Sequence, residues 1–239
     1  MDDARKKELL ESLVGGLCVE RGYDVPQTDS ADELWTAFRA LVNTRPPIPA
    51  DPDWLSAQDE LLRGVIEESG IRTLDDMPPS PVDSRLRLWR GDITTLAVDA
   101  IVNAANSQML GCWVPGHHCI DNAIHTFAGV QLRAECDRIM KAQGHEEPTG
   151  TAKITPAYNL PAKYVIHTVG PIANGRPNDL HSIAFCCIST GVFGFPQEEA
   201  ARIAVRTVRE WLDEREANMI VLFNVFMQKD ESIYGDLLA

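Results

Sequence analysis

The stretch 90–129 decides how this chain is read. It opens Arg90-Gly91-Asp92-Ile93-Thr94 and passes through Asp99-Ala100-Ile101-Val102-Asn103-Ala104-Ala105-Asn106. It then runs Gly111-Cys112-Trp113-Val114-Pro115-Gly116-His117-His118-Cys119-Ile120-Asp121-Asn122-Ala123-Ile124-His125. The Gly-Asp turn follows Arg85-Leu86-Arg87-Leu88-Trp89, whose polar and apolar residues alternate as in a half-exposed edge strand. Residues 98–102 are nearly all apolar, as in a strand covered on both faces, and Asn103 and Asn106 mark its end. Amides buried there need partners, and capping the turn is one use for Asn103.

The loop after that strand concentrates soft donors. Two thiols and an imidazole suit zinc, and three protein ligands leave one position open for substrate or water. Spacing does not separate His117 from His118 as the nitrogen donor. A closed structural site would take a fourth ligand, for which His118 and His125 are the local candidates, His125 falling inside the expected helix. The alternative use of Cys112 and Cys119 is as small buried residues. Asp121 stands where the helix begins, a good position for a carboxylate in any helix.

Downstream, strand and helix signals alternate. Residues 120–127, 130–143, 198–214 and 229–238 read as helices, and 151–157, 164–169, 183–188 and 219–226 as strands. This order predicts a mixed, mostly parallel sheet between helical layers, with ligand-binding loops at 103–119, 170–178 and 189–195, outside the strand carboxyl ends. Ser189-Thr190-Gly191-Val192-Phe193-Gly194 joins a buried strand to the helix opened by Pro196. Its glycines permit inward-pointing N–H groups, an anion nest, and no Lys-Ser/Thr pair follows to make it a Walker loop. Cys186 and Cys187 read as core residues on opposite faces of the strand. His145, His167 and His181 carry no assigned role.

Upstream, Leu9, Leu10, Leu13, Val14 and Leu17 recur at helical spacing. Ser30-Ala31-Asp32-Glu33 is a capping box for a second helix, and Asp51-Pro52 opens a third that Gly70 ends. Nothing catalytic is evident there. These helices form a cap on the main domain, with shaping of a substrate entrance or partner contact as the sharper alternative. The Pro-rich run 75–80 is the expected boundary, giving 1–80 as helical extension and linker and 81–239 as the main domain.

Thirty-five acidic against 22 basic residues give a net charge of −13, which argues against a nucleic-acid backbone as partner. A nucleotide-sized anion remains compatible, since backbone N–H groups can hold phosphates. No apolar run reaches membrane-spanning length, and 1–7 lacks a signal-peptide core. Six cysteines in this spacing fit reduced thiols in a cytoplasmic protein rather than a disulfide framework.

Taken together, Gly91-Asp92-Ile93, Val102-Asn103-Ala104-Ala105-Asn106 and Ser189–Gly194 resemble the macrodomain pattern. Cys112-x4-His117-x-Cys119-Ile120-Asp121 resembles the zinc-dependent branch that hydrolyses protein-linked ADP-ribose, and it selects His117 over His118. The resemblance implies a three-layer α/β/α macrodomain behind a helical extension. It implies that Asp92 and Ile93 meet adenine, that 189–194 cradle the diphosphate, and that Phe193 packs on the distal ribose. Asn106 and Asp121 would orient the reacting groups, and one Zn2+ would sit on Cys112, His117 and Cys119. The linkage in this family is typically to an acidic side chain. Some members act on a lipoyl-carrier protein, which makes such a protein a candidate substrate, with ADP-ribose the product. The rival readings are a non-catalytic ADP-ribose-binding module, a hydrolase of free O-acyl-ADP-ribose, and a purely structural zinc. The pattern also places a helix between the strands ending at Val169 and starting near Ile183. About a dozen residues are too few for one, so a segment between Ile172 and Leu180 is expected to be missing from this sequence.

Overall fold

The computed structural model describes residues 1–169, 180–188, 190–191, 194–215 and 217–239. Its contacts divide the chain into two compact units. A helical unit comprises Met1–Gly70, Gln108–Glu146 and Ala157–Leu160, and a sheet unit comprises Ile71–Ser107, Glu147–Pro156 and Pro161–Ala239.

In the helical unit, α1 (Asp3–Arg21) starts at Asp2, whose carboxylate accepts the Arg5 N–H. The Ser30 and Asp51 side chains cap α2 (Ala31–Asn43) and α3 (Pro52–Ser69). Each cap satisfies an N–H that the first helical turn leaves without a partner. Leu10, Leu13, Val14, Phe38, Leu61 and Leu62 are fully enclosed at the centre of this unit. Helices α4 (Ile120–Ala128) and α5 (Val130–Gln143) complete it, meeting at Gly129.

The sheet unit holds six strands in the order β1-β6-β5-β2-β4-β3. These are β1 (Leu86–Arg90), β2 (Ala100–Ala104), β3 (Ala152–Pro156), β4 (Tyr164–Thr168), β5 (Ser182–Phe185) and β6 (Ile220–Val225). The first five in that order run parallel, and β3 pairs antiparallel with β4 at the far edge. The alternating strand is therefore an edge and the continuously apolar one is interior, as their patterns predicted. Helices α6 (Gln197–Glu214) and α7 (Gln228–Leu238) pack on the sheet through Ala201, Val205, Leu212, Tyr234 and Leu238. Among the described residues, no helix is long and apolar enough to cross a membrane.

Two sequence expectations need correction. Strand β5 ends at Phe185, so Cys186 and Cys187 do not alternate across a strand, although Cys187 still packs against the sheet core. Asn103 lies within β2, not in the turn after it. Its amide nitrogen, which can only donate, sits 3.1 Å from His167 Nδ1. That leaves the His167 proton on Nε2, 3.1 Å from Thr155 Oγ1, so β2, β4 and β3 are bridged through one enclosed ring.

A second polar lock ties the amino ends of β2 and β5. Asp99 accepts N–H bonds from His181 (2.7 Å) and Ser182 (2.9 Å), and takes Lys163 Nζ at 2.7 Å. Burial by itself would raise this carboxyl. The ammonium of Lys163 and the two N–H groups outweigh it and hold Asp99 below its ordinary range.

Both locks have measurable signs. Burial lowers His167 from 6.5 to about 4, so the folded state keeps it neutral where the unfolded chain protonates. Its contribution is whole above pH 6.5 and is lost as pH falls toward 4. Denaturant unfolding of wild type should lose about 2 kcal/mol between pH 7 and pH 5 that His167→Gln does not lose. Equal pH slopes for the two proteins would refute the buried neutral ring. Because Asp99 is depressed, the stability it contributes is present above the unfolded carboxylate range and is lost as pH falls through the folded value. Asp99→Asn is expected to be less stable by about 1–3 kcal/mol at pH 7, with the gap closing below about pH 4.

Candidate functional site

The parallel strands deliver several of the singled-out residues to one edge of the sheet unit. After β1 comes the 3-10 turn Ile93–Thr95, capped by Asp92, whose Oδ1 accepts Thr94 N–H at 2.9 Å and Thr94 Oγ1–H at 2.7 Å. Asp92 is exposed and Ile93 is buried beneath it. Asn224, near the end of β6, donates to the Gly91 carbonyl at 3.1 Å and so holds the Gly-Asp turn. After β2 comes half-buried Asn106, with the chain fixed just before it by Ala105 N–H to Thr168 O at 2.9 Å.

After β5, Thr190 Oγ1 donates to the Cys187 carbonyl at 3.0 Å and Gly194 N–H to the Gly191 carbonyl at 3.0 Å, closing a turn ahead of α6. Ser189, Val192 and Phe193 lie outside the described residues, as does the 170–178 connection. The sheet unit thus sends the segments that carry Asp92, Asn106 and Thr190-Gly191 off the carboxyl ends of parallel strands. Ligands of such sheets bind there.

The helical unit carries the donor set. Ligand atoms of Cys112, His117 and Cys119 all lie within 4.8 Å of one another, with Cys112 Sγ and His117 Nδ1 3.5 Å apart. His118 is exposed and takes no part in that group. Cys119 caps α4, its sulfur accepting the Asn122 N–H at 3.4 Å. Burial pushes the Cys119 thiol up; the Asn122 N–H opposes this, and neighbouring Cys112 adds to the rise. Two sulfurs and an imidazole with this mutual spacing fit a tetrahedral zinc ion in chemistry and number. None of the six cysteines, all of them among the described residues, is in a disulfide.

Glycines make the loop possible at two points. Gly116, at φ +62°, turns the chain immediately before His117, in a conformation that side-chain-bearing residues rarely adopt. At Gly111, φ +81°, an added Cβ would stand 2.7 Å from the His125 ring. The missing side chain therefore lets that imidazole approach the backbone just ahead of Cys112. Asp121, 5 % exposed in the first turn of α4, faces the same ring, with Oδ1 3.6 Å from His125 Nε2. Its position is a buried pair with His125 on the next turn.

The supports of this loop were not visible as chemistry in the sequence. Buried Arg133 donates to the carbonyls of Leu110 (2.7 Å), Val42 (3.0 Å) and Arg45 (2.7 Å). Its guanidinium carbon lies 4.2 Å from the Trp113 ring centre. Burial lowers it to about 10, which leaves it charged at neutral pH. On α2, Asn43 and Arg39 bond to Gly116 and Asn122.

Comparison with known proteins agrees with this architecture. The family profile described as "Macro domain" matches residues 102–181 and 173–204. A protein-ADP-ribose hydrolase of Treponema medium is 51 % identical over 260 aligned positions, covering 98 % of this chain and 98 % of the relative. One from Staphylococcus aureus (strain MSSA476) is 44 % identical over 254 positions, covering 96 % and 95 %. A crystal structure of a Trypanosoma brucei macrodomain in complex with ADP-ribose superposes with a TM-score of 0.62 at 31 % identity, covering 84 % of this chain and 95 % of that one. The Treponema alignment has more positions than this chain has residues, and the profile match breaks into two pieces at 173–181. Both facts agree with a segment present in relatives and missing here. With identity of this level across nearly its full length, the chain belongs to the macro domain family.

Proposed function

We propose that this chain is a zinc-dependent hydrolase that removes ADP-ribose from modified side chains of proteins, acidic ones foremost. The observation that carries the reading is the convergence of Cys112, His117 and Cys119 to within 4.8 Å, in a chain half identical to a protein named as a protein-ADP-ribose hydrolase. A module that only binds its ligand has no use for three soft donors with one position left open.

In this reading the sheet unit binds the nucleotide part. Asp92 accepts from the adenine amino group beside the Ile93 backbone. Thr190, Gly191 and Gly194, with Ser189, Val192 and Phe193, hold the diphosphate. The anion is held by N–H groups, in keeping with a net charge of −13. Asn106 positions the distal ribose. Asp121, held by His125, orients the reacting groups. Zinc on Cys112, His117 and Cys119 would supply Lewis-acid polarisation of a ribose hydroxyl or of water. Hydrolysis breaks the bond between ribose and side chain, water giving its hydroxyl to one fragment and a proton to the other. Cysteines outside any disulfide fit a cytoplasmic setting, and a lipoyl-carrier protein stands among the candidate substrates.

The test is release of ADP-ribose from a protein modified on aspartate or glutamate, with and without a chelator, by wild type and Cys112→Ala. Chelation and Cys112→Ala should each slow release by about 100-fold or more, with zinc restoring only the wild type. Release indifferent to both would remove the metal from the reading. Tight ADP-ribose binding without release from any linkage would leave a binding module, and turnover of O-acyl-ADP-ribose alone would redirect it to a metabolite.

A further inference from the structure

We infer that Asn43, the last residue of α2, is a positioning residue for the Cys112–His117–Cys119 loop, so that the N-terminal helices set how tightly this loop holds a metal. The inference rests on the metal reading above and deepens it. The Asn43 side chain is 1 % exposed and uses both ends. Its Oδ1 accepts the Gly116 N–H at 3.0 Å, and its Nδ2 donates to Thr126 Oγ1, inside α4, at 2.9 Å. Thr126 Oγ1 in turn donates a hydrogen bond to the Asn122 carbonyl at 2.7 Å.

Asn122 makes the second pin. It is fully buried, and its Nδ2 donates to the Val114 carbonyl at 3.1 Å while its Oδ1 accepts from Arg39 Nη2, also on α2, at 3.2 Å. The loop is therefore held at Val114 and at Gly116, on either side of Pro115. His117 follows directly, its N–H returning to the Val114 carbonyl at 3.2 Å.

These pins act on a segment that includes Gly116, a residue of wide backbone freedom. Among the described residues nothing stands within 4 Å of a Cβ built at Gly116, so side-chain packing does not restrain this turn, and the Asn43 amide acts with the two contacts to the Val114 carbonyl in aiming His117. A loop already shaped by protein contacts gathers its donors before the ion arrives. A loose one must be ordered by the ion, which lowers affinity. Partners that orient ligands without touching the metal typically alter affinity by about 10- to 100-fold. The helical extension, in which the sequence shows no catalytic residue, acquires a role through this contact.

The experiment measures zinc affinity of the full chain by competition with a chromophoric chelator, alongside thermal unfolding of the metal-free proteins and the ligand-field spectrum with cobalt(II). Four proteins are compared: wild type, Asn43→Ala, Arg39→Ala and Leu13→Ala. Leu13 is buried in the core of the same unit and its side chain takes no part in the network, so Leu13→Ala destabilises the helices without releasing the loop. Asn43→Ala should bind zinc about 10- to 100-fold more weakly, and Leu13→Ala should stay within about threefold of wild type despite its lower unfolding temperature. The cobalt spectrum of Asn43→Ala at saturation should keep its sulfur-to-metal bands, since the donors themselves are unchanged.

Asn43→Ala at wild-type affinity would overturn the inference. So would an equal loss in Leu13→Ala, because affinity would then merely follow stability. Should Asn43→Ala fail to fold, Arg39→Ala, at the half-buried edge of the network, decides: weaker zinc binding upholds the inference and wild-type affinity ends it. A wild type that takes up no zinc at all would instead overturn the metal reading itself.

Discussion

The helical unit depends on a charge it has to bury. Arg133 carries a guanidinium into an enclosed site, where an unpartnered cation would be strongly unfavourable. Three carbonyls, those of Val42, Arg45 and Leu110, make the position tolerable, with the Trp113 face beside them. The Val42 carbonyl belongs to the last turn of α2 and the Arg45 carbonyl to the chain two residues past its end, where the helix dipole favours a cation. The third belongs to the chain just before Cys112. One buried cation from α5 thereby fixes the end of α2 against the start of the donor loop. It is this end of α2 that presents Asn43 to Gly116. Geometry at the three donors is thus inherited from a charge that must find oxygen partners.

How much of this was legible in the sequence follows from the range of each interaction. Helix starts were readable because their causes are local: Ser30 lies three residues from the N–H it accepts, and Pro52 sits at the first position of its own helix. Strand class was readable because alternation and continuous apolarity report exposure of one face or none. The donor loop was readable because its ligands lie within eight positions. What sequence periodicity does not contain is pairing at a distance. Asn43 is 73 residues from Gly116, Arg39 is 83 from Asn122, and Asn103 is 64 from His167. A polar residue at the end of a helix or strand reads as a cap because capping is the commonest local use. Only the fold shows that Asn103 serves a buried ring instead. Strand β5 was overextended for a related reason: Cys186, Cys187 and Ile188 continue the apolar run after the ladder has ended.

Charge is handled differently in the two units. In the sheet unit the edge at the strand carboxyl ends offers the Asp92 carboxylate, the Thr190 hydroxyl and backbone N–H groups. A net charge of −13 works against long-range attraction of an anion, so in the proposed reading short-range N–H geometry supplies the selectivity. In the proposed reading that suits a ligand with a nucleobase and a few phosphate oxygens, while the net charge disfavours long polyanions. In the helical unit, two thiols beside one another are a poor place for a second negative charge, and the rise in the Cys119 thiol reflects the desolvation that sets this. In the proposed metal reading, a divalent cation would resolve the conflict by taking both thiolates at once.

The path of the chain explains how such a loop can be carried without disturbing the sheet. After β2 the backbone leaves the sheet unit at Ser107 and returns at Glu147, having supplied the donor loop, α4 and α5 to the helical unit. The Glu147 N–H donates to the Ser107 carbonyl at 2.8 Å, so exit and re-entry are joined by a hydrogen bond. The Glu147 side chain is 2 % exposed and bonds to Thr151 Oγ1, with Lys153 Nζ 3.3 Å away, which anchors the junction at the start of β3. A long excursion closed at its neck adds little to the entropy of forming the sheet, because closure cost grows only with the logarithm of loop length. Changes within 108–146 are accordingly felt first by the helices that receive the segment. The N-terminal helices and this inserted segment share one core through Phe127 and Val130, so the helices on either side of the donor loop rest on common packing, while the loop itself is held by the polar contacts of Asn43 and Asn122.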